Sequence, residues 1–490
     1  MGNIMDTPPP GTLEYQHWLK YKEKYGPIFS ITVMGRTRII IHDKQAANDL
    51  LDKMSAVTSF KPTTVFAFQL CGFWRFLSQL PYNDMYRRER KLMHQELGTK
   101  AAVARYYEAI ESEVGRFLAR LFARPEDLFQ LLRTEVGSII LKITYGYSTN
   151  HDTTDPLVDL ISHVMLAFSH ALQPFYWLVD IIPAISYLPD WLPGMGFKEI
   201  ARRTHKMSDL MVDVPYSFVL RQMRSGSYLP SYVSKLVEQF NKDTGELKIS
   251  RDNEDTIKYT AGTLYAGGSD TSATTLNACI LAMIMFPEVQ RKAQEEIDLV
   301  IGNERLPSFK DQEKLPYIDS IVKEVLRWFP VAPMGSAHET TEDITYSGYL
   351  IPKGAILSPA VWWFCHDPQV YSNPSSFDPG RFLEPRNEPD PTGIFGYGRR
   401  ICLGRYLANA TIFLTIAQTL AIFNISKAID KNGVEIKPAC KPTHGMISRL
   451  VNFPYRISLR GEKQVRIIQS NTVEQVGEDN STLLDTFTIK

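Results

Sequence analysis

Between Pro27 and His42 the stretch "PIFSITVMGRTRIIIH" alternates apolar and polar positions around a Gly-containing turn, and this period of two predicts a β-hairpin. Beyond it the period lengthens. Apolar residues recur at helical spacing over Lys44–Lys53, Met85–Glu96, Ala101–Phe122, Ala201–Arg224, Asp255–Met285, Glu288–Ile301, Ile318–Trp328 and Arg405–Phe423. Strand-like pieces return at Ile344–Leu357 and Phe453–Gly461, bounded by Gly and Pro. The pattern predicts a mainly α fold with a small β-rich region. No repeat or composition break divides it, so one domain is expected over residues 1–461, followed by a loose polar tail over 462–490.

With 490 residues, 44% of them hydrophobic, the chain can bury a large core. Lys+Arg and Asp+Glu are equal at 54 each, so no net field favours nucleic acid, and charge recognition must be local. The cysteines at 71, 279, 365, 402 and 440 form no C-x-x-C pair, which argues against a disulfide framework or a structural zinc site. All but Cys402 are expected to be small core residues. The N-terminus "MGNIMDTPPPGTLEYQHW" has no secretory pattern and no apolar run able to span a bilayer. The charge-poor region Val164–Phe197 contains Pro174, Pro183, Pro189 and Pro193, which break a spanning helix. Its Trp177, Ile181, Ile182, Tyr187, Leu188, Trp191 and Leu192 form either a surface lobe resting in a membrane interface or a buried connection. Asn480-Ser481-Thr482 fits a glycosylation acceptor.

Candidate chemistry concentrates in "IFGYGRRICLGRYLA", Ile394 to Ala408. Gly396, Gly398 and Gly404 surround Cys402 where the backbone must bend or approach something large and flat. A helix follows, and its free N–H groups favour a thiolate just ahead of it, as a metal ligand requires. A second signal lies inside the predicted helix Asp255–Met285, at "AGGSDTS". Two adjacent glycines in a helix interior cost roughly 2 kcal/mol against alanine, so something there needs space. The polar Asp270-Thr271 pair in the same turn can loosen the ladder and hold water. Glu324 and Arg327 in "KEVLRW" share a helix face, although Glu113/Arg116, Glu199/Arg202 and Glu288/Arg291 have the same spacing and read as surface pairs.

"FGYGRRICLG" matches F-x-x-G-x-R-x-C-x-G at Phe395, Gly398, Arg400, Cys402 and Gly404, and so resembles the cytochrome P-450 haem-thiolate monooxygenases. "GGSDTS" matches that family's [AG]-G-x-[DE]-T-[TS], and "KEVLRW" followed by "FDPGRF" matches its E-x-x-R and downstream arginine. The resemblance runs from about residue 3 to 461 and is nearest to fungal microsomal members of secondary metabolism. It implies haem b with Cys402 as axial thiolate and sole metal ligand, Phe395 in the cofactor loop, and Arg400, Arg90 and His338 contacting the propionates. It implies that Asp270 and Thr271 relay protons for dioxygen cleavage, and that Arg381 joins Glu324 and Arg327 in a buried structural triad. Tyr86 stands where the family's W-R-x-x-R helix has tryptophan. That helix carries Arg87, Arg88, Arg90 and Lys91, and the resemblance places a flavin-bearing NADPH-cytochrome reductase against it.

The resemblance further implies a monomer on the cytosolic face of the endoplasmic reticulum. The family's apolar anchor and Pro-rich hinge are missing ahead of Gly2-Asn3, so the expectation is a truncated gene model or a soluble form, with peripheral membrane contact. Segments matching the family's pocket walls are Phe66–Trp74, Phe168–Trp177, Tyr265–Gly268, Val331–Gly335 and Gly445–Ile447, implying a lipophilic substrate of terpenoid or polyketide type. Two rivals stand beside monooxygenation: a haem-thiolate isomerase or dehydratase needing no external electrons, and a hydrolase using Cys402 with His338 or His366.

Overall fold

A computed structural model describes residues 2–150, 154–241, 249–302, 304–473 and 479–484. The described strands are β1 (Ile28–Val33), β2 (Arg36–Ile41), β3 (His338–Glu339), β4 (Ile344–Tyr346), β5 (Tyr349–Ile351), β6 (Ile356–Pro359), β7 (Phe423–Ser426) and β8 (Arg456–Leu459). The expected hairpin is β1–β2, turning through Met34 and Gly35, both at positive φ (48° and 81°), which matches the twist of the strands. β2 then pairs in parallel with β6, and β3 closes a four-stranded sheet of order β1-β2-β6-β3. Covered in this way, Arg38 to Ile41 are all buried, which explains why "RIII" does not alternate.

All eight expected helices are present with shifted ends, among them Asp84–Leu97, Gly196–Ser225, Arg251–Met285, Pro316–Trp328 and Arg405–Ile422. The 101–122 pattern is divided into Lys100–Ala104 and Tyr107–Ala123, and Lys44–Asn48 continues as a π turn, Asp49–Lys53. Further helices, including Glu14–Tyr25, Leu128–Tyr145, Pro156–Ala171 and Tyr232–Phe240, were not expected. Leu128–Tyr145 is buried on nearly every side, so it shows no polar face to set a period. The long helix Arg251–Met285 runs through the core against Leu128–Tyr145, Pro156–Ala171, Gly196–Ser225 and Arg405–Ile422.

Several expectations change. The tail is not loose throughout: Glu462–Val473 is a helix whose Gln464, Ile467 and Ile468 are buried against Tyr107–Ala123. Asn480 is buried, accepting from Ser148 N (2.9 Å) and donating its own N–H to Ser148 O (3.0 Å), which hides it from a glycosyltransferase. Cys71, Cys279 and Cys365 are buried as expected, whereas Cys440 is exposed. Glu113 is buried and holds half-buried Arg116 (2.8 Å) together with Lys142 (3.1 Å), and Arg291 pairs with Glu295, not Glu288.

Glu89 is fully buried and neither of its carboxyl oxygens has a partner among the described residues. Burial pushes its pKa up to about 8, against the nearby Arg88 and Arg75 charges. Between its ordinary value of 4.5 and about 8 the folded state therefore binds more protons than the unfolded state, and stability falls as pH rises through that window. Glu89→Gln is expected to raise the melting temperature more at about pH 8 than at about pH 5, by scanning calorimetry. Equal shifts at the two pH values would rule this account out.

Candidate active site

The Phe395–Gly404 loop is closed by its own backbone. Cys402 N donates to Phe395 O (2.8 Å), and Arg400 N donates to Tyr397 O (3.0 Å). Gly398 sits at φ 49°, where a Cβ would lie 2.7 Å from Leu51 O, so only glycine fits that close approach. Gly404 precedes the helix Arg405–Ile422. The Cys402 thiol is exposed, but to an interior cavity of about 410 Å³ that it helps to line. Burial raises its pKa, offset by the Gly404 N–H, the Arg405 and Arg90 charges and the Arg405 N–H. The free side chain is thus a thiol, and the helix terminus alone does not ionise it; bonding to a metal would.

Helix Asp84–Leu97 braces this loop. Tyr86 is buried and donates its hydroxyl to Arg399 O (2.7 Å), while Arg90 donates to Ile401 O (2.8 Å) and to the Tyr86 hydroxyl (3.3 Å). Arg400 lies 3.9 Å over the Tyr86 ring and donates to Ser59, Leu77 and Leu80 carbonyls. His338, expected beside it, is buried; one ring nitrogen (Nδ1) lies 2.8 Å from Thr58 O. Burial and the Lys61 charge push the His338 pKa well down, so the ring is neutral, with Nδ1–H donating.

Lys61 was not expected. It is buried, lines the cavity and donates to Ser336 Oγ (2.8 Å) and Ala337 O (3.0 Å), and its pKa is pushed well down by burial and the Arg400 charge. Lys61, Arg90, Arg400 and His338 thus converge on one cavity, yet no described Asp or Glu lines it, and none of the three cations pairs with a described carboxylate. Unbalanced buried cations are costly. A flat ligand bearing two carboxylates, with its metal over Cys402, balances them, and the residues present fit haem b. A lysine in the unpatterned stretch "SFKPTT" gave no periodic or motif signal.

The opposite wall is the long helix, which continues unbroken through "AGGSDTS". A Cβ on Gly267 would meet nothing within 4 Å, whereas one on Gly268 would lie 2.4 Å from Ile140 Cδ1. The first glycine therefore leaves cavity space and the second admits a neighbouring helix. Thr271 lines the cavity, its hydroxyl donating to Gly267 O (2.8 Å). Asp270 turns away, because consecutive helical residues point about 100° apart. Its carboxylate accepts two hydrogen bonds from Arg449, from Nη2 at 2.8 Å and from Nε at 3.0 Å. The structure thus separates the two expected relay residues.

The expected triad is assembled. Arg327 and Arg381 both bind Glu324, at 2.7 and 3.0 Å, with all three side chains fully buried. Glu388 adds a second carboxylate on Arg381 at 2.6 Å, and Arg327 also holds the Cys365 and Pro374 carbonyls.

The family model for cytochrome P450 matches residues 1–445. The chain belongs to the cytochrome P450 family. It is 45% identical over 493 residues to the multifunctional cytochrome P450 monooxygenase af510 of Aspergillus fumigatus, covering 100% of this chain and 92% of the relative. The cytochrome P450 monooxygenase CLM2 of Gibberella zeae is 46% identical, with coverage of 96% and 89%. An O-methylsterigmatocystin oxidoreductase of Aspergillus flavus is 37% identical, with coverage of 96% and 88%. As a P450 this chain is a monooxygenase, its family cofactor is haem with a thiolate ligand, and its relatives are fungal.

Of the pocket walls expected for this P450, Phe73, Phe168, Ala266, Gly267, Val331, Met446 and Ile447 line the cavity. Phe66 does not; it stacks on Trp177 at 3.6 Å. Phe76, Met165 and Met211, outside the expected segments, are among the further apolar residues of the lining. The basic cluster of helix Asp84–Leu97 divides: Arg87, Arg88 and Lys91 are exposed, and Arg90 is turned inward.

Proposed function

We propose that this P450 hydroxylates an uncharged lipophilic molecule of terpenoid or polyketide type, with electrons delivered by NADPH-cytochrome reductase. The observation that carries the reading is a single cavity with a cysteine thiol, three unbalanced cations and no acid at one end, and Phe, Met, Leu, Ile and Val side chains elsewhere. The balance is R–H + O₂ + NADPH + H⁺ giving R–OH + H₂O + NADP⁺. Haem would be held by Cys402, with Lys61, Arg90 and Arg400 balanced by its carboxylates and neutral His338 only packed beside them, and when bound would supply the dioxygen activation and its two-electron chemistry.

The chain's own residues bind, exclude water and move protons. Phe73, Phe76 and Phe168 form an aromatic wall, with Phe73 and Phe168 edge to face at 5.0 Å, and press an apolar substrate toward the Cys402 end. Thr271 holds a proton at Oγ1 and can turn it from Gly267 O into the cavity. Asp270 would bring protons from solvent by exchanging Arg449 for water, since Arg449 now donates to both of its oxygens. Thr271→Ala is expected to leave NADPH oxidation running while product per NADPH falls about a hundredfold and peroxide rises in step. Unchanged coupling would remove Thr271 from the relay.

The isomerase or dehydratase reading is less well supported, because Thr271 and the glycine-made space beside it serve an electron-consuming reaction. The hydrolase reading lacks a base: His338 is committed to Thr58 O, and His366 sits on Trp362 O at 2.9 Å. No single described helix is long and apolar enough to cross a membrane. Leu178, Ile182, Tyr187, Leu188 and Trp191 are exposed, with Tyr187 at 89% and Trp191 at 79%, and support the interface lobe over the buried connection. This lobe would rest a monomer on the endoplasmic reticulum, and exposed Arg87, Arg88 and Lys91 would meet the reductase.

A further inference from the structure

Helices Pro156–Ala171 and Gly196–Ser225 pack together over the cavity and give it Val164, Met165, Phe168 and Met211. At one end residues 172–195 join them. At the other end Tyr147 meets Phe218 edge to face at 5.3 Å, which sets the start of the first helix beside the last turns of the second. Residues 479–484 are fastened to this same end. Asn480 exchanges two hydrogen bonds with Ser148, at 2.9 and 3.0 Å, and Asp479 accepts from Asn150 Nδ2 at 2.7 Å. Asn150 passes the hold inward, its N–H donating to buried Asp155 at 2.9 Å. Asp155 also accepts the Tyr147 hydroxyl (2.8 Å) and caps Pro156–Ala171 through Leu157 N (2.9 Å). Leu483 O accepts from Arg221 of the second helix at 2.9 Å.

We infer that residues 479–484 are a strap that holds the two roofing helices closed over the cavity, so that its release governs how fast a bulky ligand enters and leaves. The two parts of the C-terminal segment divide the work. Ile467 and Ile468 of helix Glu462–Val473 are buried against Tyr107–Ala123, a helix that gives the cavity no residue, and so anchor the segment on a part of the fold away from the roof. The strap itself holds mainly through hydrogen bonds, with Thr482 and Leu483 exposed. Contacts of this kind open locally at a small fraction of the free energy of global unfolding. Because the strap grips the outer end of the helices and touches no cavity residue, it favours the closed arrangement equally whether the cavity is empty or filled. It therefore changes rates of exchange more than affinity.

The test uses the haem-loaded full chain and two azole probes, read at the cofactor's absorption by stopped flow: clotrimazole, which is bulky, and imidazole, which is small enough to pass without parting the helices. Asn480→Ala and, separately, Asp479→Ala are expected to speed clotrimazole association and dissociation alike, by about tenfold, while its dissociation constant stays within about twofold. Imidazole rates should stay as in the wild type. Amide hydrogen exchange should quicken over residues 146–160 and 216–225 and not over Arg405–Ile422. The inference is overturned if neither variant changes the clotrimazole rates, if imidazole speeds up as much as clotrimazole, or if the faster exchange spreads to Arg405–Ile422. Each of those results would reduce the segment to an ordinary structural contact.

Discussion

Cys402→Ser is expected to remove the absorption band of the reduced, carbon monoxide-bound protein that is diagnostic of a thiolate opposite the gas, together with all NADPH-dependent product. The effect is large because nothing nearby can substitute. Cys71, Cys279 and Cys365 are buried elsewhere, Cys440 is not on the cavity, and His338 is turned to Thr58. A serine hydroxyl is a poor anion at neutral pH and a harder ligand than sulfur, so it pushes less electron density onto a metal. Because the substitution is nearly isosteric and the loop is held by backbone bonds, the variant should stay folded, as circular dichroism can establish. A serine variant retaining the thiolate-type band would end the assignment of Cys402.

Glu324→Ala should have the second-largest effect, on stability. It removes the shared carboxylate of two fully buried arginines, leaving Arg327 with backbone carbonyls only and Arg381 with Glu388. Breaking a buried pair in this way costs roughly 3–5 kcal/mol, because the charge left behind is neither solvated nor matched. The exposed pair Glu199–Arg202 supplies the control, and Glu199→Ala should change stability by less than about 0.5 kcal/mol. Denaturant midpoints of the two variants, read beside haem retention, check both. Equal midpoints would mean that the triad is ornamental.

Most of the candidate site was legible where chemistry needs particular residue types at fixed spacing along one segment. Cys402 with its flanking glycines, Thr271 with Gly267, and Glu324 with Arg327 are of this kind. What escaped depends on distant segments meeting. Lys61 gains its role only because Arg400 and His338, more than 270 positions further on, converge on the same cavity. Asp270 and Thr271 read as one unit but face different surroundings, and only packing revealed that Arg449, 179 residues later, claims the carboxylate. Helix Leu128–Tyr145 was missed for a related reason, since an element buried on most sides has no alternation to read, whereas Pro156–Ala171 buries one face only and its period could have been read.

The sequence by itself determined the mainly α class, the family and Cys402 as the candidate ligand, because periodicity and short motifs are local properties of the chain. Only the tertiary structure decided the charge balance of the cavity, the partner of Asp270 and the docking of the Glu462–Val473 helix. Burial and hydrogen-bond satisfaction are settled between segments far apart in sequence, and no local pattern encodes which side chain will be left without a partner.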